Sequence, residues 1–276
     1  MKATLFTLFT TLLMVGCGEP DLSDPDRVED ATADAVDLSK LKNRNGVMYL
    51  VNEETPFTGR AESFYEEGQK SGEGSFKDGK LDGLRASWYE NGQKKAEANW
   101  KDGKLGGLTA SWHENGQKAQ ELNWKDGKQD GLYTMWYESG QNDLEANYKD
   151  GKEHGLWKKW YENGQKKSEG IYKDGKFDGL WTGWHENGQK KTEASFKDGK
   201  LDGLTASWYE GGQNKYKGNN KDGYPHGHWT QWYPNGQKLI EEKYKDGKLH
   251  GLVISYNEDG TEKVRSTYKD GEIVEH

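Results

Sequence analysis

The chain is poor in the residues from which most globular cores are built. Only 31% of its 276 residues are hydrophobic, and it has one cysteine and five prolines. A single cysteine excludes an intrachain disulfide framework. Glycine (37), tyrosine (15) and tryptophan (12) are abundant instead, which a disordered chain would not show. The composition predicts a thin β structure with many turns, in which aromatic side chains supply most of the buried area.

The sequence also lacks a basic stripe. The net charge is −8, and lysine and glutamate alternate through most of the chain. A nucleic-acid-binding protein needs clustered cations that displace the counterions of the phosphate backbone. We therefore expect no nucleic-acid partner.

The first residues have the layout of a secretory signal. Lys2 precedes an apolar run over residues 3–15, which is too short to span a bilayer. Met14-Val15-Gly16-Cys17 resembles a bacterial lipobox, and this resemblance implies cleavage before Cys17 and lipidation of its thiol and new amino group. A signal without lipid, with an incidental cysteine, is the alternative. Residues 1–16 are thus predicted as a lipoprotein signal peptide.

The following segment is acidic and lacks aromatic residues, and it includes Pro20 and Pro25. It predicts a flexible tether over residues 17–44, with the folded part at 45–276. By resemblance to bacterial lipoproteins, Gly18 after the cysteine favours the outer membrane of a Gram-negative cell. We expect a secreted, lipid-anchored protein of the cell envelope.

A 24-residue period dominates the rest of the chain. Three glycine series repeat at this spacing without insertion or deletion: 68 to 260, 79 to 271 and 59 to 251. In one unit, residues 83–89 alternate apolar and polar side chains as a half-buried strand does. Glu90-Asn91-Gly92 turns the chain, residues 94–100 return, and Lys101-Asp102-Gly103 turns it again. The prediction is an all-β, elongated, single-layer antiparallel meander or solenoid of about nine hairpins.

The length of the first turn decides which residues share a face. A two-residue Asn91-Gly92 turn would place Ala86 opposite Glu97. A three-residue loop is favoured because Pro234 replaces the glutamate in one repeat, and proline suits the second position of a type I turn. That loop predicts Arg85 opposite Glu97. Leu84, Ala86, Trp88, Ala96, Ala98 and Trp100 would then share one face.

Two aromatic rows and one acidic row follow from the period. The first holds Trp88, Trp112, Trp136, Trp160, Trp184, Trp208 and Trp232. The second holds Phe76, Trp100, Trp124, Tyr148, Tyr172, Phe196, Tyr244 and Tyr268, and Asn220 interrupts it. Glutamates at 73, 97, 121, 145, 169 and 193 indicate a solvated face rather than catalytic acids. The aromatic rows are either the core or partly exposed binding surfaces.

Tyr244 to Leu252 resembles the MORN (membrane occupation and recognition nexus) repeat. Tyr-Glu-Asn-Gly-Gln-Lys-Lys at 161–167 and the entry Thr55-Pro56-Phe57-Thr58-Gly59 are similar to the bacterial MORN repeat variants, often labelled a YwqK-type antitoxin family. The resemblance covers about residues 46–276. Leu84 departs from the MORN pattern, where a second glycine would follow Gly83. The resemblance implies a β-hairpin array, with membrane proximity, lipid contact and protein scaffolding as analogies.

No motif for catalysis or metal binding is present. His113 and His185 occupy a tyrosine slot, and His154, His226 and His250 occupy the slot of Asp82; such substitutions indicate drift rather than ligands. The sequence lacks zinc-ligand spacing, a phosphate loop and a nucleophile elbow. We predict a non-enzyme without cofactor or metal, because a catalytic site needs unlike residues converging in one place.

The expected function is binding. The leading hypothesis is an envelope-anchored module that binds a protein through its extended sheet. Binding of cell-wall glycan or lipid through the aromatic rows is the second, and an antitoxin-like role the third. The tyrosines that project away from the Trp88 row are the predicted contact residues: Tyr65, Tyr89, Tyr137, Tyr161, Tyr209 and Tyr233.

Overall fold

A computed structural model describes residues 34–275, and the predicted signal peptide, Cys17 and most of the tether lie outside this range. The described residues form one sheet of 22 strands and a separate two-stranded sheet. Except for one short parallel pairing, neighbouring strands are antiparallel and follow the order of the chain. The sheet is open rather than closed. The predicted all-β meander is therefore confirmed.

The strands alternate between long and slightly shorter members of each hairpin. Their bounds are β1 Val36–Asp37, β2 Leu41–Arg44, β3 Val47–Leu50, β4 Gly59–Phe64, β5 Lys70–Lys77, β6 Lys80–Trp88, β7 Lys94–Lys101, β8 Lys104–Trp112, β9 Lys118–Lys125, β10 Lys128–Trp136, β11 Asn142–Lys149, β12 Lys152–Trp160, β13 Lys166–Lys173, β14 Lys176–Phe177, β15 Gly179–Trp184, β16 Lys190–Lys197, β17 Lys200–Trp208, β18 Asn214–Lys221, β19 Tyr224–Trp232, β20 Lys238–Lys245, β21 Lys248–Leu249, β22 Gly251–Tyr256, β23 Glu262–Lys269 and β24 Glu272–Glu275. A short 3-10 helix at Leu38–Lys40 is the one helical element in this part of the chain.

The three-residue loop is the one that forms. Tyr89 and Gln93 pair across it, with the Tyr89 N–H donating to the Gln93 carbonyl at 2.8 Å. The Gly92 N–H donates back to the Tyr89 carbonyl at 2.9 Å, which closes a type I turn over Glu90-Asn91. Gly92 then takes a left-handed conformation at φ 81°. The same hydrogen bonds recur in nine turns, from Tyr65 to Asn257.

The register beyond the loop differs from the prediction. Trp88 lies opposite Lys94, but Ser87 lies opposite Ala96, so Lys95 is an extra residue in a β-bulge. Arg85 consequently lies opposite Ala98, and Ala86 opposite Glu97. The expectations that Arg85 faces Glu97 and that both aromatic rows share one face are wrong. The bulge follows every three-residue loop, which a pairing scheme without bulges does not anticipate.

The sheet therefore has two distinct faces. We call the side of Leu84, Ala86, Trp88, Lys94 and Glu97, with their equivalents in other hairpins, the front face. The side of Arg85, Ser87, Ala96, Ala98 and Trp100, with their equivalents, is the back face. Side chains of directly opposed residues project to the same side of a sheet, so the pairings of β6 with β7 define both sets.

The second turn type is a two-residue loop. Lys101 pairs with Lys104, and Asp102 and Gly103 between them have φ values of 48° and 75°. Two central residues with positive φ define a type I′ turn, for which Asp-Gly is a preferred sequence. The Gly103 N–H donates to the Leu81 carbonyl of the previous hairpin at 2.8 Å. This turn therefore both reverses the chain and joins neighbouring hairpins.

Two strands of the described part of the chain lie before residue 45. Val36–Asp37 pairs in parallel with β4, and β2 forms a hairpin with β3. This hairpin packs at the start of the array, where the Met48 N–H donates to the Gly79 carbonyl at 2.8 Å. A Cβ atom on Gly79 would lie 2.7 Å from the Met48 carbonyl oxygen, so only glycine fits there. The predicted tether over residues 17–44 thus includes strands β1 and β2, whose Val36 and Leu41 are apolar.

Small residues, rather than aromatic ones, occupy the most buried positions. On the front face these include Ala86, Ala110 and Ala206, with 3% to 6% of their surface exposed. On the back face Ala146 and Ala194 are similarly buried. Among residues 34–275 no large side chain is fully buried. The aromatic rows are half-buried, as expected where a single sheet is covered by its own side chains.

Candidate interaction surfaces

The front face carries a ladder of paired charges. The bulge places Lys94 and Glu97 on the same side, and their Nζ and Oε2 atoms lie 2.7 Å apart. The Lys94 ammonium also lies 5.3 Å from the ring centroid of Trp112 in the next hairpin, a cation–π contact. The same ion pair recurs in five further hairpins, as Lys70–Glu73, Lys118–Glu121, Lys166–Glu169, Lys190–Glu193 and Lys238–Glu241. The predicted glutamate row is therefore a structural ladder.

Departures from the ladder are compensated locally. Asn142 replaces the lysine beside Glu145, and Lys158 of the following hairpin lies 3.6 Å from that carboxylate instead. In the last hairpin the two charges are exchanged, with Glu262 and Arg265 joined at 2.8 Å. The pairing of opposite charges is thus kept in these two hairpins, whereas Asn214 and Lys217 occupy the two ladder positions of the hairpin β17–β18, where the described residues form no such pair.

A stripe of exposed leucines runs along the front face beside this ladder. We define the leucine stripe as the residues equivalent to Leu84. Six of them expose 38% to 49% of their surface: Leu84, Leu108, Leu132, Leu156, Leu180 and Leu252. Equivalent positions in neighbouring hairpins lie two strands apart, roughly 10 Å. His228 interrupts the row between Leu204 and Leu252. A row of exposed apolar residues is a candidate contact surface.

The back face carries clusters of aromatic rings. Three rings form one row here: the centroid of Phe177 lies 4.2 Å from that of Tyr172 and 5.2 Å from that of Phe196. Beside them the Trp181 indole lies across two glycines of the sheet. A Cβ atom on Gly170 would be 2.8 Å from Trp181 Cδ1, and one on Gly183 would be 3.0 Å from Trp181 Cη2. The missing side chains allow this indole to lie flat against the backbone.

A second cluster lies two hairpins further on. The Trp229 ring stacks beside Tyr216, with centroids 6.2 Å apart, and meets Tyr244 edge-on at 6.4 Å. Its indole also covers a glycine, Gly218, and its Nε1–H donates to the Asn219 carbonyl at 2.9 Å. Burial, with Glu242 nearby, raises the pKa of Tyr244 to about 12. Rings and polar groups thus share this part of the back face.

The predicted contact tyrosines form links between hairpins. The Tyr89 hydroxyl donates to the Trp112 carbonyl at 2.8 Å, and the other five make the same bond 23 residues ahead at 2.7 Å to 3.0 Å. In three of them a lysine of the bulge, such as Lys95, lies over the ring. Asn257 takes this position in the ninth turn and bonds within its own turn to Thr261. All six are half-buried, and their role as a contact surface stays a prediction.

The histidines divide into two structural groups. His113 and His185 replace the tyrosine and make its contact, with Nε2 atoms 3.0 Å and 3.2 Å from carbonyl oxygens of the next hairpin. His154, His226 and His250 replace Asp82, and their Nδ1 atoms lie 3.2 Å to 3.6 Å from aspartates of the next Asp-Gly turn. Within residues 34–275 no cluster of three potential metal ligands forms.

Asp82 shows the structural role of the position that these three histidines occupy in other hairpins. Its carboxylate accepts from the Asp102 N–H at 3.2 Å and lies 3.1 Å from the Lys101 ammonium. The hydrogen bond from the Asp102 N–H, and to a smaller extent the one from the Lys101 ammonium, holds the pKa of Asp82 below its usual range. Asp130, Asp178 and Asp202 accept from later turns in the same way. These carboxylates fasten one turn to the next.

Seven segments of the chain match the MORN repeat variant family (MORN_2): residues 57–78, 81–102, 105–126, 129–150, 153–174, 177–198 and 225–246. Together they cover more than half of the chain, which therefore belongs to this family. The hairpins at 201–222 and 249–270 lie outside these segments, and the first of them has Asn214, Lys217 and Asn220 where most others have lysine, glutamate and an aromatic residue. Part of the resemblance seen in the sequence is thereby confirmed, whereas the lipoprotein and antitoxin assignments stay predictions.

No curated protein matches the chain. Among solved structures, a TcdB2–TccC3 complex is similar at 10% identity, over 81% of this chain and 15% of that chain, with a TM-score of 0.19. The alternansucrase ASR in complex with isomaltononaose is similar at 14% identity over 81% of this chain and 18% of that chain, with a TM-score of 0.19. The chain spans less than a fifth of either protein. Neither similarity bears on its function.

No described helix is long and apolar enough to cross a bilayer. The sequence correctly predicts that Leu84, Ala86 and Trp88 share one face, but it does not predict the exposed leucine stripe. The 24-residue spacing was visible, but the bulge that separates the two faces was not.

Proposed function

We propose that this protein is an envelope-anchored, non-catalytic module that binds another protein along its leucine stripe. The observation that carries this proposal is the repetition of half-exposed leucines in one register on the front face. The ionic groups beside the stripe are already paired within the array, as Lys94 is with Glu97. A partner would gain its affinity chiefly by covering apolar surface.

The test compares apolar positions inside and outside the stripe. The triple variant L84S/L132S/L180S removes three exposed leucines, and V51S/V264S removes two valines of similar exposure, 51% and 52%, that lie elsewhere. Photo-crosslinking from the stripe in intact cells should capture a specific protein with the wild type and the valine variant only. Equal capture by the leucine variant would contradict the proposal.

Anchoring requires a separate experiment. The proposed lipid at Cys17 rests on the lipobox resemblance, and C17S should release the protein from the membrane fraction without changing the fold of the array. Labelled palmitate should enter the wild type and not C17S. Membrane association of C17S at the wild-type level would argue against the anchor.

Glycan binding is a second candidate, favoured by the indoles that lie flat on the back face. Trp181 rests on Gly170 and Gly183, so one side of its ring is turned away from the sheet. An exposed ring face suits the apolar face of a sugar. Co-sedimentation with purified cell wall should then fall in W181A/W229A and persist in the leucine variant. Sedimentation that is absent in the wild type would exclude this candidate.

A further inference from the structure

Arg85 is an exception in its row on the back face. The equivalent residues are uncharged: Thr109, Tyr133, Trp157, Trp181, Thr205, Trp229 and Val253. Because of the bulge, Arg85 lies opposite Gly74 and Ala98, and Glu97 lies on the front face. Among residues 34–275 no carboxylate pairs with its guanidinium. A cation without an internal partner is available to an anionic ligand.

Trp100 supplies a second unpaired donor at the same place. Its indole Nε1 is buried and has no acceptor among the described residues. In the next hairpin the equivalent indole, Trp124, donates from Nε1 to Thr109 Oγ1 at 3.0 Å. In the hairpin β17–β18, Asn220 takes the position of Trp100 and donates from Nδ2 to Thr205 Oγ1 at 2.7 Å. Arg85 stands where those threonines stand, so Trp100 loses its acceptor. A buried donor left without an acceptor is costly unless a ligand or water completes it.

Arg85 lines a cavity and a second, smaller hollow. A cavity of about 420 Å³ lies between the N-terminal hairpin and the first repeat, and Arg85 lines it with Leu38, Met48, Phe76 and Leu81. This volume is within the range typical of small-molecule sites. A second hollow of about 290 Å³ is lined by Arg85, Ala98 and Trp100. Arg85 thus joins an apolar cavity to the place where the unpaired indole lies.

The cavity exists because the first repeat has small residues on its back face. Gly72 and Gly74 stand where the next hairpin has Ala96 and Ala98, and the hairpin β2–β3 adds a wall that later repeats lack. The carboxylate in the lining, Glu73, is held at 3.1 Å by Lys70 on the front face. It therefore does not neutralise Arg85.

We propose that this site binds a small molecule that carries a carboxylate on an apolar body. The carboxylate oxygens accept from the Arg85 guanidinium and from the Trp100 indole N–H. The apolar body lies in the cavity against Phe76, Leu81 and Met48. Both donors and the apolar lining are specific to the first repeats, so one molecule binds per chain.

The test uses octanoate and its uncharged counterpart octanamide as probes of the full-length protein. Calorimetry should show octanoate binding at least about tenfold more tightly than octanamide, since a charge-assisted hydrogen bond is lost with the amide. The indole N–H resonance of Trp100, assigned by its absence in W100F, should move downfield with octanoate. Equal affinity of the two probes, or an unmoved resonance, would overturn the proposal.

Variants at Arg85 separate binding from folding. R85T introduces the residue found at positions 109 and 205, and R85M keeps the long side chain that packs over Gly74. Both should bind octanoate about tenfold more weakly or worse. R60T is the matched control, because it removes the same charge from the first repeat but on the front face, beside Glu62. Unchanged affinity in R85T and R85M, or an equal loss in R60T, would refute the site.

Discussion

The hydroxyl of Tyr89 donates to the carbonyl oxygen of Trp112 at 2.8 Å, across the boundary between two hairpins. The amide of Asn91 does the same to the Glu114 carbonyl at 2.9 Å. Along one edge of the array, side chains of one turn therefore donate hydrogen bonds to the backbone of the next hairpin. Secondary structure alone does not supply these links.

Removal of one tyrosine hydroxyl should weaken the array without changing its fold. We expect Y89F to lower the free energy of unfolding by about 1 kcal/mol, because the Trp112 carbonyl loses its donor. Urea unfolding followed by tryptophan fluorescence measures the change. Tyr224, which is 63% exposed and makes no described hydroxyl bond, provides the control Y224F. A Y224F effect as large as that of Y89F would show that the link contributes nothing.

A methyl group on Gly218 should be costly because the Trp229 indole occupies its place. We expect G218A to destabilise the array by about 1–3 kcal/mol through overpacking. Ala194 fills the equivalent position one hairpin earlier, so alanine itself suits the strand. In the W229T background the penalty should vanish. A penalty that persists there would point to the backbone rather than to the indole, and thermal unfolding of the four proteins decides it.

Gly106 offers the opposite case. It occupies the slot of Asp82, a Cβ atom there meets no atom within 4 Å, and its φ is ordinary. We expect G106A to stabilise the array by about 0.4–1 kcal/mol through the unfolded chain. G106D should add roughly 0.5 kcal/mol more, because its carboxylate would accept from the Asp126 N–H as Asp82 accepts from Asp102.

The advantage of G106D over G106A should depend on pH. The folded pKa of Asp82 is lowered by the Asp102 N–H and by Lys101, so a carboxylate in this slot stabilises the fold above the ordinary value of 3.8. That contribution is lost as pH falls through the lowered folded pKa. Urea midpoints of both variants at neutral and acidic pH measure the difference. A difference that stays constant down to low pH would contradict the assigned hydrogen bond.

Exchange of one ladder pair tests the front face. Lys166 and Glu169 lie 2.7 Å apart, and the Lys166 ammonium is 5.1 Å from the centroid of the Trp184 ring. K166E and E169K should each destabilise the array, and the double variant should recover the ion pair, worth about 0.2–1 kcal/mol. It should remain about 0.5–1 kcal/mol below the wild type, because a carboxylate replaces the cation over the ring.

The last hairpin supplies the control for this exchange. Its pair, Glu262 and Arg265, is naturally reversed and has no ring over it in the described residues. The free energy of unfolding of E262K/R265E should therefore be close to that of the wild type, as a double-mutant cycle with E262K and R265E would show. Full recovery in K166E/E169K, equal to that in the last hairpin, would show that the ring contact has no energetic weight.

The sequence is sufficient to predict the hairpins and their turns. Glycines at fixed spacing mark both turn types, and Pro234 correctly favours the three-residue loop that Glu90-Asn91-Gly92 forms. The number of hairpins follows from the same count. These features are local, since each depends on backbone conformations that glycine, asparagine and aspartate adopt readily.

The division of residues between the faces could not be predicted in the same way. Nothing in the sequence around Lys95 marks a bulge. The one extra residue places Glu97 on the front face and Ala98 on the back face, the reverse of the expectation. The bulge is favoured by contacts that appear only in the folded array, such as Lys94 with both Glu97 and Trp112. The unpaired Arg85 follows from that single displacement, because Glu97 no longer lies opposite it.

The tyrosine links have a mechanical consequence. Each one ties a hairpin to its successor, so a force that pulls on the C-terminal end loads the last link first and the earlier ones only after it fails. The array should yield one hairpin at a time, each releasing 24 residues, or about 80 Å of extended chain. Such a protein would act as an extensible spring of nearly equal steps rather than as a block that ruptures at once.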